Sequence, residues 1–170
     1  MDTFLTIASK RDTRNYDGRV LPADAVERIL EAGRVAGSAR NRQQRRFWAL
    51  ESASSRRRAA EAVTRPANLS TAAFAVVVTV KPSSWAPFDA ARAAQNMMLA
   101  AANDGIASCP NAIADPAALT GLLDLEDDEE VAVVVSFGYP ARARAAGSRS
   151  VQEWLDSADR LPLVQLVRRI

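Results

Sequence analysis

The chain has 170 residues, 48% of them apolar, with 22 Lys and Arg against 20 Asp and Glu and a net charge of only +2. That length suits one domain with a sizeable core, and the balance shows neither a disorder signal nor the basic face of a nucleic-acid binder. Histidine is absent and cysteine occurs once, which removes the commonest general base and metal ligand and leaves any hard chemistry to a bound cofactor.

The lone cysteine excludes an internal disulfide and suits a reducing cytoplasm. Met1-Asp2-Thr3 carries no signal-peptide pattern, and no apolar run reaches the roughly 18 residues of a membrane span. A cytoplasmic protein with no membrane and no nucleic-acid partner is expected.

In chain order, Phe4, Leu5, Ile7 and Ala8 predict a short helix capped by Asp2 or Thr3. Leu21 to Asp24 open a second helix whose face carries Val26, Ile29 and Leu30, with Gly37 marking its end. Phe47 to Leu50 reads as a strand, and Arg56 to Val63 as a helix. Ala72 to Val80 is too apolar to be half exposed and predicts a central strand buried on both faces. Pro87 to Asn103 is apolar almost all round and predicts a core helix. Gly105 ends it, and an extended piece follows over 106–110. Asp115-Pro116 starts a helix through Leu123, since Asp caps and Pro fits the first turn. Val131 to Phe137 predicts a second central strand. Helical stretches near 151–157 and 162–170 finish the chain. No repeat or linker divides residues 1–170, so a single α+β domain wrapped by helices is expected.

Two clusters stand out. Lys10-Arg11-Asp12-Thr13-Arg14 places Lys10 and Arg14 on one face of an extended segment, with Asp12 between them. Gly37-Ser38-Ala39-Arg40-Asn41-Arg42-Gln43 supplies small and amide-bearing residues. Alone, the first reads as a charged linker and the second as a turn. Together they suit the two ends of one ligand: a phosphate held by charge, and a planar polar ring held by amides and backbone.

In order and spacing these segments resemble the nitroreductase family, flavoproteins that hold FMN at a homodimer interface. Lys10 to Tyr16 is similar to the family's opening Arg-Arg-Ser-x-Arg-x-Phe, and Ala36 to Arg45 to its Ala-Pro-Ser-Ser-x-Asn-x-Gln-Pro-Trp. Asp89 to Ala101 resembles its dimer helix. Gly105 to Cys109 and Ser136 to Pro140 match later segments. The resemblance spans about residues 3–155.

It implies a central mixed, mainly antiparallel sheet wrapped by helices, in a homodimer whose segment 150–170 packs on the partner subunit. It further implies that Lys10, Arg11 and Arg14, near Asp12, hold the FMN phosphate together with Arg149. Gly37, Ser38, Ala39 and Asn41 would meet the ribityl chain and ring from one subunit. Asp89 and the backbone of Pro110, Asn111, Ala112 and Ile113 would approach from the other. NADH or NADPH would be the reductant and an electron-poor small molecule the acceptor. No catalytic side chain is demanded and no metal is implied.

The chain departs from the pattern in three ways. Asp12 replaces Ser, and unless it pairs with Arg11 or Arg14 this carboxylate weakens phosphate binding. Gln44-Arg45 replaces Pro-Trp. The segment between Arg56 and Ala72 is short, which leaves little lid. Two other classes stay open: an accessory member of the same fold that has lost FMN, and a basic module built on Arg56–Arg58 and the Arg142–Arg149 loop.

Overall fold

The computed structural model describes residues 2–142 and 148–170. Helix α1 (Thr3–Ser9) starts where Asp2 accepts a hydrogen bond from Leu5 N at 2.9 Å. Helix α2 spans Ala23–Arg34, strand β1 Arg45–Leu50, helix α3 Ala53–Ala60 and the single turn α4 Ala67–Ser70. Strand β2 (Phe74–Val80), helix α5 (Ala86–Asn103) and strand β3 (Ala107–Asn111) follow. Helix α6 (Pro116–Leu123), strand β4 (Glu130–Gly138), helix α7 (Val151–Asp156) and the turn α8 (Leu163–Leu166) complete it.

The four strands form one sheet in the order β1-β2-β4-β3, and every pairing of neighbouring strands is antiparallel. All seven residues of β2 are buried, because successive side chains point to opposite faces and both faces are covered. Phe74, Val76, Val78 and Val80 pack with Ile29 of α2 and Met97 of α5. Ala75 and Val77 pack with Ala59, Leu69 and Leu119 on the other side. Helix α5 ends at Gly105, whose φ of 71° suits a residue without a Cβ; Ile106 N then reaches back to Ala101 O at 2.9 Å.

Several elements differ from the sequence reading. Helix α3 begins earlier than Arg56 because Ser52 caps it, accepting from Ser55 N at 3.0 Å. Residues 163–166 alone are helical in the C-terminal stretch. Helix α5 is not buried all round: Phe88, Ala91, Arg92 and Gln95 are exposed, since the sheet and α2 cover only one side. Helix α2 ends at Arg34, short of Gly37, and Gly37 is not a left-handed cap. The guanidinium of Arg45 instead takes the last carbonyls, at 3.4 Å from Gly33 O and 3.2 Å from Arg34 O, and also bonds Ala36 O. Among the described residues, no helix is long and apolar enough to cross a membrane.

Candidate functional site

The first cluster leaves α1 as an extended segment laid beside β3. Asp12 bridges Ser108 in parallel, and Thr13 N donates to Ser108 O at 3.0 Å. Alternation then divides the side chains. Lys10 Nζ lies 2.5 Å from Asp12 Oδ1 and 3.4 Å from Met98 Sδ. Asp12 therefore pairs with Lys10, two residues away on the same face, and not with Arg11 or Arg14. Arg11 points the other way. Its Nη1 donates to Ala8 O at 2.7 Å and its Nη2 to Trp154 O at 2.9 Å. Arg11 thus ties α1 to α7, a structural task the sequence did not suggest.

Trp154 gathers cations. Arg11 lies 5.6 Å and Arg149 5.0 Å from its ring centre. Between this indole, Lys10, Arg11, Thr13 and the Gly105–Ser108 backbone is a cavity of about 80 Å³. It is far below the roughly 300 Å³ of a whole-ligand pocket and suits one small polar group. Ser108 lines it, is only 1% exposed, and its Oγ has no hydrogen-bond partner. A buried hydroxyl without a partner costs on the order of 1–3 kcal/mol. Ser108 was not singled out for this place by the sequence. The available signal for Trp154 was Ser150-x-x-Glu153, which forms a complete capping box and seats α7.

Beyond Ser108, β3 carries a buried polar network. Asn111 Nδ2 donates to Cys109 O at 3.0 Å and Ser136 Oγ at 3.2 Å, and Asn111 Oδ1 accepts from Asn68 at 3.0 Å. Tyr16 OH meets Ser136 Oγ at 2.9 Å. Burial raises the Tyr16 phenol well above its ordinary pKa, so it stays neutral. Burial likewise pushes the Cys109 thiol up, and the cysteine is core filler. Asn111's side chain is committed to this network, while Pro110 and Ala112 are exposed beside it. Ala112 O accepts from Thr64 N at 2.9 Å, and Ile113 bridges Val63. This stretch is rigid and can offer backbone to a ligand.

The second cluster stands elsewhere. Residues Ala39–Asn41 form a 3-10 turn, and Arg40, Asn41 and Gln43 all have φ near 52–53°. Left-handed backbone costs a non-glycine residue about 1–2 kcal/mol, and such strain persists where surrounding contacts hold it. Here Asp89 accepts from Ala39 N at 3.2 and 3.0 Å through its two carboxylate oxygens, and Ser38 Oγ accepts from Gln43 N at 3.0 Å. Gly37 allows the Arg92 guanidinium to lie against it: a Cβ would stand 2.6 Å from Arg92 Nη2.

Asp89 holds Ala39 of its own chain, while Pro110–Ile113 run along β3 and past its end, away from Ser108 toward Asn68, Thr64 and Val63. Lys10 meets α5 at Met98 and Ala39 meets it at Asp89. Nine residues of helix separate them, a rise of about 13 Å. The two clusters therefore meet α5 at separate places, one in its first turn and one two thirds along it. Arg142–Arg149, proposed as a basic loop, falls partly on 143–147, outside the described residues.

A helix-wrapped antiparallel sheet is the fold against which the comparisons with known proteins are set. The sequence model of the nitroreductase family matches residues 7–79 and 64–139, and the chain belongs to that family. A curated relative from Archaeoglobus fulgidus, described as "Putative NADH dehydrogenase/NAD(P)H nitroreductase", is 32% identical over 144 residues, covering 79% of this chain and 83% of its own. Among solved structures, a nitroreductase family protein from Clostridium difficile 630 superposes with a TM-score of 0.83 at 21% identity, covering 99% of this chain and 98% of its own. An FMN-dependent nitroreductase from Clostridium difficile R20291 gives 0.75 at 20% identity, covering 90% and 96%. At those identities the structures establish the fold.

Proposed function

We propose that the protein is an FMN-dependent oxidoreductase that works as a homodimer, taking electrons from NADH or NADPH and passing them to an electron-poor small molecule such as a nitroaromatic or quinone. The observation that carries this reading is the small cavity that Lys10, Arg11, Thr13 and Ser108 line together beside Trp154. Those donors fit a phosphate. FMN, when bound, supplies the electron transfer between nicotinamide and acceptor.

The chain's own residues hold and orient it. Lys10 and Arg11 bring positive charge to the cavity, Arg149 adds to it beside Trp154, and the exposed Arg14 stands outside the cavity, near Cys109. Gly37, Ser38, Ala39 and Asn41 of the second protomer face the ring, with Asp89 fixing their loop. The backbone at Pro110 and Ala112 lies under the first protomer's half. The C-terminal segment supports a dimer: Leu161, Leu163, Val164 and Leu166 are 62–78% exposed, more apolar surface than an isolated chain should leave in water. We place residues 150–170 against the partner.

The Lys10–Asp12 pair favours one rival, an accessory protein with weak or lost FMN binding, because it holds a negative charge beside the phosphate position. The visible spectrum separates the two. Purified protein supplied with FMN should retain a flavin band that bleaches when NADH or NADPH is added without oxygen. A colourless protein that takes up no FMN would leave the accessory reading standing.

A further inference from the structure

The exposed end of α5 carries a second feature. Trp85 and Phe88 are each 54% exposed, and their rings meet edge to face with centres 5.8 Å apart at 75°. They form one side of an open cleft of about 590 Å³ that Arg40, Arg42 and Arg92 also line. Arg92 lies 5.5 Å from the Phe88 ring centre and is packed against Gly37. Among the described residues, none of the three guanidiniums pairs with a carboxylate. Asp89, the one carboxylate in the lining, has both oxygens turned to Ala39 N. The N-terminus of the 18-residue helix α5 adds positive potential there.

We propose that this cleft binds a planar aromatic acceptor carrying a carboxylate or similar anionic group. The ring stacks on Trp85 with its edge to Phe88, and the anion meets Arg40 and Arg92. The proposal rests on the oxidoreductase reading for the word acceptor, since Ser38 and Ala39 line both this cleft and the proposed flavin wall. Recognition itself does not need the flavin. Aromatic stacking supplies affinity for any flat ring, and the unpaired guanidiniums discriminate by charge.

The test is a titration near neutral pH of 4-nitrobenzoate and its neutral counterpart 4-nitrobenzyl alcohol, read as quenching of tryptophan fluorescence. The benzoate should bind about five-fold or more tightly than the alcohol, because exposed charge contacts are each modest. Arg92→Gln and Arg40→Gln should each shrink that ratio while leaving alcohol affinity within two-fold. Added salt should act likewise. Trp85→Phe should remove most of the quenching. Equal affinities in the wild-type protein, or a ratio untouched by both arginine changes, would overturn the proposal. A colourless protein that keeps the ratio would refute the oxidoreductase reading alone. A flavin-loaded protein without the ratio would refute this inference alone.

Discussion

Replacing Phe137 by alanine should cost about 3–5 kcal/mol of folding stability. Phe137 is fully buried on β4 and pairs in register with Phe74 of β2, the ring centres 5.8 Å apart. It sits in the cluster that joins the sheet to Ile29 of α2 and Met97 of α5. Truncation removes the transfer free energy of the ring and leaves a void in an interior packed to crystal density. Domains hold only about 5–15 kcal/mol in total, so the variant should be marginal. Denaturant unfolding would give the number, and melting should fall by about 10 °C. Val20→Ala, at a position 85% exposed, should stay within about 0.5 kcal/mol. A loss below about 1 kcal/mol for Phe137→Ala would mean that the two packed layers are not the source of stability.

The largest functional effect is expected from Lys10→Ala combined with Arg14→Ala. Each removes a charge-assisted contact worth about 1.5–3 kcal/mol to a bound phosphate. Together they should weaken FMN binding at least about 100-fold. Riboflavin has no phosphate and serves as the control: its affinity should move little in the same variant. A comparable loss for both flavins would point to damage in the fold. Asp12→Ser should act in the opposite direction. It frees Lys10 from its 2.5 Å partner and removes a like charge from the phosphate position, so FMN affinity should rise by about ten-fold. Calorimetric titration reads all of these. Unchanged affinity in the double variant would take the phosphate away from this cluster.

How much of this was legible in the chain depended on how far each cause reaches. The valine run of β2 and the caps Asp2 and Asp115 act locally, so they could be read directly. The alternation of Lys10, Arg11 and Asp12 also follows from strand geometry, and it put Asp12 on the Lys10 side. Other features come from residues distant in sequence. Helix α2 ends where it does because Arg45, eleven residues beyond Arg34, takes its carbonyls. Asp89 joins the Gly37–Asn41 loop across 50 residues through Ala39 N. No pattern in either segment announces that contact. Ser108 sat in a segment already noted, but only packing shows that its hydroxyl is buried without a partner. The exposed strip of α5 has the same character, since an alanine-rich helix does not declare which of its sides the sheet covers.

We propose that each half of the flavin site comes from a different copy of the chain. Sedimentation velocity of the FMN-loaded protein, recorded at both the protein and flavin absorption bands, tests it most directly. Flavin should travel only with the dimer, at one FMN per chain, and diluting the protein to monomer should release it. FMN sedimenting at the same stoichiometry with a monomer would contradict the claim.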